Sequence, residues 1–318
     1  MLTGTPLDLT PFGALLSGIG LIYWVLAALG LWWAFRGPAR WRTKLLRAIP
    51  VVVLFGFIPG RMGWEQFQAR RHLNTAVALF QERCKSAGEK ISRTVENVDG
   101  IVWMKWREKI SNADNFADQF KLNDPYGQDC GAEDCIANLL RVTAGATLNP
   151  EEAKRHGTGY RFVETTDPRD GQRYRYTARL EQGWNPEAID RYKKEKGGDL
   201  PPYSYQFKVS RVPIEKYSAS YGATWDDIST REDRQHWIAG GSMKVIDLQT
   251  NEVIAERLGY MVDQGQGSQA GFRSPWLFAQ QFACPEFAQI GPSDSRRQHT
   301  GRETRDFTSK VLQPTTGE

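Results

Sequence analysis

The sequence predicts an α+β protein: two N-terminal transmembrane helices followed by a periplasmic domain with a mainly antiparallel sheet and a few helices. Three observations predict it. An uncharged apolar run opens the chain, period-two runs separated by turn residues fill its middle, and all four cysteines follow the apolar region.

The first expected span is Pro11 to Phe35, which contains no charge. Twenty-five helical residues cover a bilayer core of about 30 Å. Trp32 and Trp33 stand where an interfacial aromatic belt is expected. A cleaved signal peptide fits poorly, because no basic segment precedes the run and the charge before it is Asp8. The second expected span, 45–64, is less obvious. Between Arg47 and Arg61 lie 13 uncharged residues that include Pro50 and Pro59, and it spans only if both arginines snorkel. Otherwise it is interfacial or buried.

The loop between the spans, 36–47, carries Arg36, Arg40, Arg42, Lys44 and Arg47 and no acid. The positive-inside rule makes this loop cytoplasmic. With two spans, the domain that follows is therefore periplasmic. The expected organisation is an anchor over 1–64, a domain over 65–292 and a polar, flexible tail over 293–318. The formal charge of +4 belongs to the anchor. Its six basic residues and one acid leave 35 basic and 36 acidic residues to the remainder. A near-neutral body is not what a nucleic-acid binder presents.

Within the domain, Phe67, Leu73, Val77, Phe80 and Cys84 recur at near-helical spacing and predict a helix over 65–90. Asp99-Gly100 between ISRTVENV and IVWMKW predicts a hairpin. The segment DPRDG (167–171) between YRFVETT and QRYRYTARL predicts a second. A strand is expected over 203–212, and SMKVIDL and EVIAERLGYMV about Gln249-Thr250-Asn251 form the clearest pair. CIANLLRV (135–142) reads as a short helix, 183–202 as an exposed excursion and 264–275 as a glycine-rich loop.

Cys130 and Cys135 stand close together in CGAEDC, whereas Cys84 and Cys284 stand far apart. The simplest of three connectivities pairs Cys130 with Cys135 and Cys84 with Cys284, in an oxidising compartment. A four-cysteine zinc site would show paired short spacings, which this sequence lacks. No metal and no cofactor are expected. The sequence has no GxSxG, HExxH, Walker or GxGxxG signature in a fitting context.

The densest polar constellation is TWDDISTREDRQHW, residues 224–237. It offers Trp225, Asp226, Asp227, Arg231, Glu232, Asp233, His236 and Trp237 as a partner-binding patch, since tryptophan beside charge is common at interfaces. The structural alternative is a loop and a capped helix start at Ser229 or Thr230, whose first turn favours acids. A catalytic reading needs Asp226, Asp233 and His236 to converge on one pocket.

The phrases RCKSAGEKISRTVENVDGIVWMK (83–105), YGATWDDISTREDRQHWIAGGSMKVIDLQTNEVIAERLGYM (221–261) and GFRSPWLFAQQFACPEF (271–287) resemble an uncharacterised proteobacterial family of inner-membrane-anchored periplasmic proteins. Its genes often lie beside type VI secretion effectors, including phospholipase-like ones. The resemblance implies an immunity protein that neutralises a toxin by occlusion, with that toxin and the lipid bilayer as partners and with no enzymatic activity. A structural or assembly factor of an envelope machine, such as a secretion system or pilus, is the alternative. An enzyme or solute sensor is the third reading.

Overall fold

The computed structural model describes residues 11–141 apart from 37, 39, 111 and 129, and then 147–148, 159–182, 190, 194, 205–287 and 303–315. The chain divides into two compact units, Met1–His72 and Leu73–Glu318.

In the first unit, helix α1 spans Pro11–Phe35, and helix α2, Trp41–Cys84, begins there and ends in the second unit. The two helices pack as an antiparallel hairpin. The Tyr23 hydroxyl donates to the carbonyl of Phe55, and Gly30 lies against Val51. Ala27, Ala34 and Ala48 are buried, so small residues bring the backbones together. Leucine, valine, isoleucine and tryptophan side chains on the outer faces are exposed, among them Leu26, Trp33, Val53 and Leu54.

Among the described residues one helix, α2, is long and apolar enough to cross a membrane. In α1 the part whose side chains are described, Gly20–Phe35, is apolar and shorter than a span. The short uncharged segment between Arg47 and Arg61 suffices because the helix does not stop at its edges. Pro50 and Pro59 lie inside α2, which runs for 44 residues, about 66 Å. The domain boundary expected after Trp64 therefore falls inside a continuous helix.

The second unit is built on a ten-stranded sheet. Its strands are β1 (Gly88–Ile91), β3 (Gly100–Trp103), β4 (Thr147–Leu148), β5 (Phe162–Thr166), β6 (Arg173–Gln182), β7 (Tyr205–Pro213), β8 (Tyr221–Asp227), β9 (Ile238–Asp247), β10 (Glu252–Val262) and β11 (Ala283–Cys284). The order is β1-β10-β9-β8-β3-β5-β6-β7-β4, with β11 also on β10. All pairs are antiparallel except those of β3, which runs parallel to both β5 and β8. Thus β3 joins two antiparallel meanders. Its four residues, GIVW, are all buried, as an apolar run without alternation requires.

The Asp99-Gly100 hairpin is a correction. Strand β2 (Val95–Val98) leaves the main sheet and pairs in parallel with β12 (Leu312–Pro314), far away in sequence. Gly100 does not turn the chain. A Cβ there would stand 2.3 Å from the Phe162 ring, so glycine is required for close approach. The other two hairpins form as expected. Thr166 faces Arg173 across the 167–171 loop. Asp247 faces Glu252, and Asn251 takes the left-handed conformation at φ 59°.

Strands β9 and β10 are covered on both faces, and alternation decides which residue meets which layer. Ile238, Tyr260 and Val262 pack with Ala76, Leu79 and Phe80 of α2. On the opposite side Met243, Val245 and Ala255 join the main core with Ile136 and Leu139 of α3 (Glu133–Leu139) and Phe307 and Val311 of α6 (Glu303–Val311). Helix α2 ends at Cys84, short of the expected 90, and Gly88 starts β1 at φ 136°.

The flexible tail is a second correction. Residues 303–314 form α6 and β12, and Phe307, Val311 and Leu312 are buried. Tyr160 donates its hydroxyl to the Leu312 carbonyl at 2.6 Å. The tail's polar composition conceals a short amphipathic stripe with apolar residues at the i, i+4 spacing. Residues 293–302 and 316–318 of that expected tail lie outside the described residues. So does the expected excursion over 183–202, apart from 190 and 194.

Both disulfides form with the expected pairing, Cys84–Cys284 and Cys130–Cys135.

Ion pairs lock the β5–β6 edge. The buried Asp167 carboxylate accepts from the Arg169 Nε at 2.8 Å and the Arg211 Nη1 at 2.6 Å. The Arg169 hydrogen bonds, with those from Arg211, hold its carboxyl far below the usual carboxylate range. A depressed folded-state pKa contributes stability above the unfolded value of about 3.9, and that stability is lost as pH falls through the folded value. Stability attributable to Asp167 is therefore constant from pH 7 to 5 and declines below about pH 4. Asp167→Asn is expected to flatten the acid limb of stability against pH in denaturant melts. An acid limb of unchanged slope refutes this role.

Candidate partner-binding surface

The segment proposed from sequence connects β8 to β9 through helix α4 (Arg231–Gln235). Thr230 caps it. Its Oγ1 accepts from the Asp233 amide at 3.0 Å, and the Asp233 Oδ2 accepts from the Thr230 amide at 2.8 Å. This reciprocal capping box explains the acids in the first turn. Asp233 is buried and also accepts from the Arg83 Nε at 3.0 Å, which ties the last turn of α2 to α4.

The two tryptophans belong to the interior. Trp225 is buried in the main core, donates its Nε1 to the Lys105 carbonyl at 2.9 Å and lies under the Lys105 ammonium at 4.3 Å. Trp237 is buried against Trp276, ring centres 5.1 Å apart, and sits at φ 54°. Trp225, Asp233 and Trp237 are thus corrections to the expected patch: with no surface to offer, they cannot anchor a partner. Asp227 is half-buried and pairs with Arg234, which also donates to the Leu122 carbonyl at 3.1 Å and lies 5.2 Å from the Trp276 ring centre.

His236 is half-buried, and its carbonyl accepts from the Gln266 side chain. Asp226 is half-exposed and pairs with Lys105 at 2.7 Å. Arg231 and Glu232 are exposed.

Beside them opens a groove of about 400 Å³ lined by Phe120, Leu122, Asn123, Asp227, Thr230 and Arg231, among others. Asp226, Asp233 and His236 do not line it, so the convergence a catalytic reading needs is not found there. Among the described residues no group of three His, Cys, Asp or Glu side chains is placed to hold a metal ion.

Further exposed apolar side chains lie on residues 270–282, of which the sequence reading assigned only those up to 275, as a glycine-rich loop. Helix α5 (Pro275–Ala279) carries Leu277 and Phe278, the preceding 3-10 turn carries Phe272, and Phe282 follows. All four side chains are exposed, Phe272 fully and at φ 62°. Trp276 connects them to the groove: it is buried, and its Nε1 donates to the Asp118 carbonyl at 3.0 Å, two residues before the exposed Phe120. The loop behind Phe272 is fixed by buried Asp263, which accepts from the Gly265 and Gly267 amides and pairs with Arg273.

This surface was readable as aromatic density in GFRSPWLFAQQF, but alternation and helical period gave no indication which rings face outward.

No protein-family model matches the chain, and no curated protein or solved structure matches it either.

Proposed function

We propose that this chain is a membrane-tethered binding protein that neutralises a secreted antibacterial effector, of the type VI and phospholipase-like kind, by occluding it in the periplasm. The observation that carries the reading is a set of exposed apolar side chains: Phe120 at the groove lined by Arg231 and Asp227, and Phe272, Leu277, Phe278 and Phe282 on the segment that Trp276 ties to the Phe120 loop. Apolar side chains rimmed by charge form the anatomy of a protein interface. Glu232 and Asp226 supply specificity charges at its edge.

The anchor fits the same reading. In this proposal both helices span, with the exposed leucines and valines of the α1–α2 hairpin facing lipid. The basic 36–47 loop is cytoplasmic and the disulfide-bonded domain is outside. A reporter active only in the periplasm, fused after Glu318, is expected to be active. An inactive one, with a cytoplasmic reporter active at the same position, overturns the compartment.

The binding test uses the full chain in detergent and the effector encoded beside its gene. Phe272→Ser with Phe278→Ser is expected to weaken binding by about 30-fold or more, as central apolar anchors do, and to abolish protection of cells that direct this effector to their periplasm. The Lys208→Ala variant, at an exposed position on β7 four strands from β8 in the sheet, should bind as the wild type does. Unchanged affinity in the double variant removes this surface from the interface. Failure of the wild-type chain to bind the effector removes the immunity reading and favours an envelope assembly role.

A further inference from the structure

Beside the C-terminal helix α6 lies a small cavity of about 20 Å³, walled in part by Arg107, Asp124, Tyr126, Arg257, Glu303 and Thr304. Two glycines opposite each other on β9 and β10 let the Asp124 and Tyr126 side chains of this wall close onto the sheet. A Cβ on Gly241 would stand 2.6 Å from the Asp124 Oδ1, and one on Gly259 would stand 2.0 Å from the Tyr126 ring.

The wall is charged and mostly satisfied. Arg107 Nη2 pairs with Asp124 at 3.0 Å. Arg257 uses Nη1 on Glu89 at 2.6 Å and Nη2 on Glu303 at 2.7 Å. Among the wall residues the Tyr126 hydroxyl, the Ser242 Oγ and the Arg257 Nε are buried and meet no hydrogen-bond geometry, although the Tyr126 phenol lies close to the Arg257 guanidinium. Tyr126 and Arg257 are 5% and 8% exposed. Burial pushes the Tyr126 phenol up, so its proton stays on and is available to donate.

We propose that this cavity is a binding site for one structural water, which bridges the Tyr126 hydroxyl and the Arg257 Nε and joins the 124–127 loop, β10 and α6 into one network. The volume decides the ligand. About 10–15 Å³ holds a single water, and a cavity of this size holds no organic molecule. Each guanidinium of the wall is paired with a carboxylate of the wall, so neither sign of charge is left over to recruit an ion. A water accepts from the Nε–H and the phenol O–H, and its own two protons remain for carboxylate or hydroxyl oxygens of the wall, which meets the two to four bonds that buried waters make. The bridge explains why an Arg and a Tyr are kept where each would otherwise bury an unmet polar atom. It does not depend on the proposed immunity role.

The test is a crystal structure of the full-length chain from detergent, at a resolution that orders waters. The expected result is one density peak within hydrogen-bond distance of both the Tyr126 Oη and the Arg257 Nε, with occupancy falling by half or more in Tyr126→Phe crystals. A dry cavity, a direct Oη–Nε bond that closes it, or a peak undiminished in Tyr126→Phe overturns the proposal. The wild-type crystal decides the site even if the variant fails to fold.

Discussion

Replacing Cys84 and Cys284 by alanine is expected to destabilise the domain more than any other change considered for this chain. The bridge closes a loop of sequence separation 200, for which the chain-entropy account gives about 5 kcal/mol. It also fixes the local geometry. Cys84 is the last residue of α2 and Cys284 lies in β11, so the bond staples the segment after the exposed phenylalanines to the helix entering the domain. The Cys130–Cys135 bond has a separation of 5, and the same account gives about 2 kcal/mol. Denaturant melts of the full chain in detergent, for each double alanine variant, measure the contrast. Equal losses would refute the entropic assignment, and no loss at Cys84–Cys284 would show that the bond is dispensable.

Trp276→Ala is expected to cost about 3–5 kcal/mol, the range for emptying a large buried aromatic site. Trp276 is 1% exposed, packs against the tilted Trp237 ring, lies under Arg234 and holds the Asp118 carbonyl. Its loss leaves a cavity and an unmet carbonyl together, and it releases the contact between α5 and the Phe120 loop. Trp276→Phe keeps most of the packing and should cost less, roughly 1–2 kcal/mol, mainly for the hydrogen bond. Chemical denaturation checks both. A loss below about 1 kcal/mol for Trp276→Ala would mean that the side chains around Trp237 collapse into the gap, and that Trp276 does not organise the surface.

The segment singled out from the sequence divides between surface and interior. TWDDISTREDRQHW does lie at the surface groove, through Asp227, Thr230 and Arg231. Composition could not divide it further. Trp225 faces the core because it stands opposite Met243 in the β8–β9 register, and Asp233 is consumed by the cap it forms. Conversely, the exposed phenylalanines occur in a stretch where a sequence reader expects either core or flexible loop. Only the burial of Trp276, between them, reveals that its neighbours point away.

The sequence alone determined what depends on local chemistry. Apolar length marked a helix that could cross a membrane, turn residues and alternation marked the 162–182 and 238–262 hairpins, and cysteine spacing marked both disulfides. These signals are written within a few residues, or within a count. Tertiary structure decided every long-range pairing. Strand β2 turns from β3 to the C-terminal β12, and β3 runs parallel to two partners that follow it by about 60 and 120 positions in Gly100↔Phe162 and Val102↔Gly222. The polar C-terminal segment supplies Phe307 and Val311 to the core. Strand pairing is specified by which apolar faces must be covered at the same time, and that is a property of the packed layers rather than of any single run of residues.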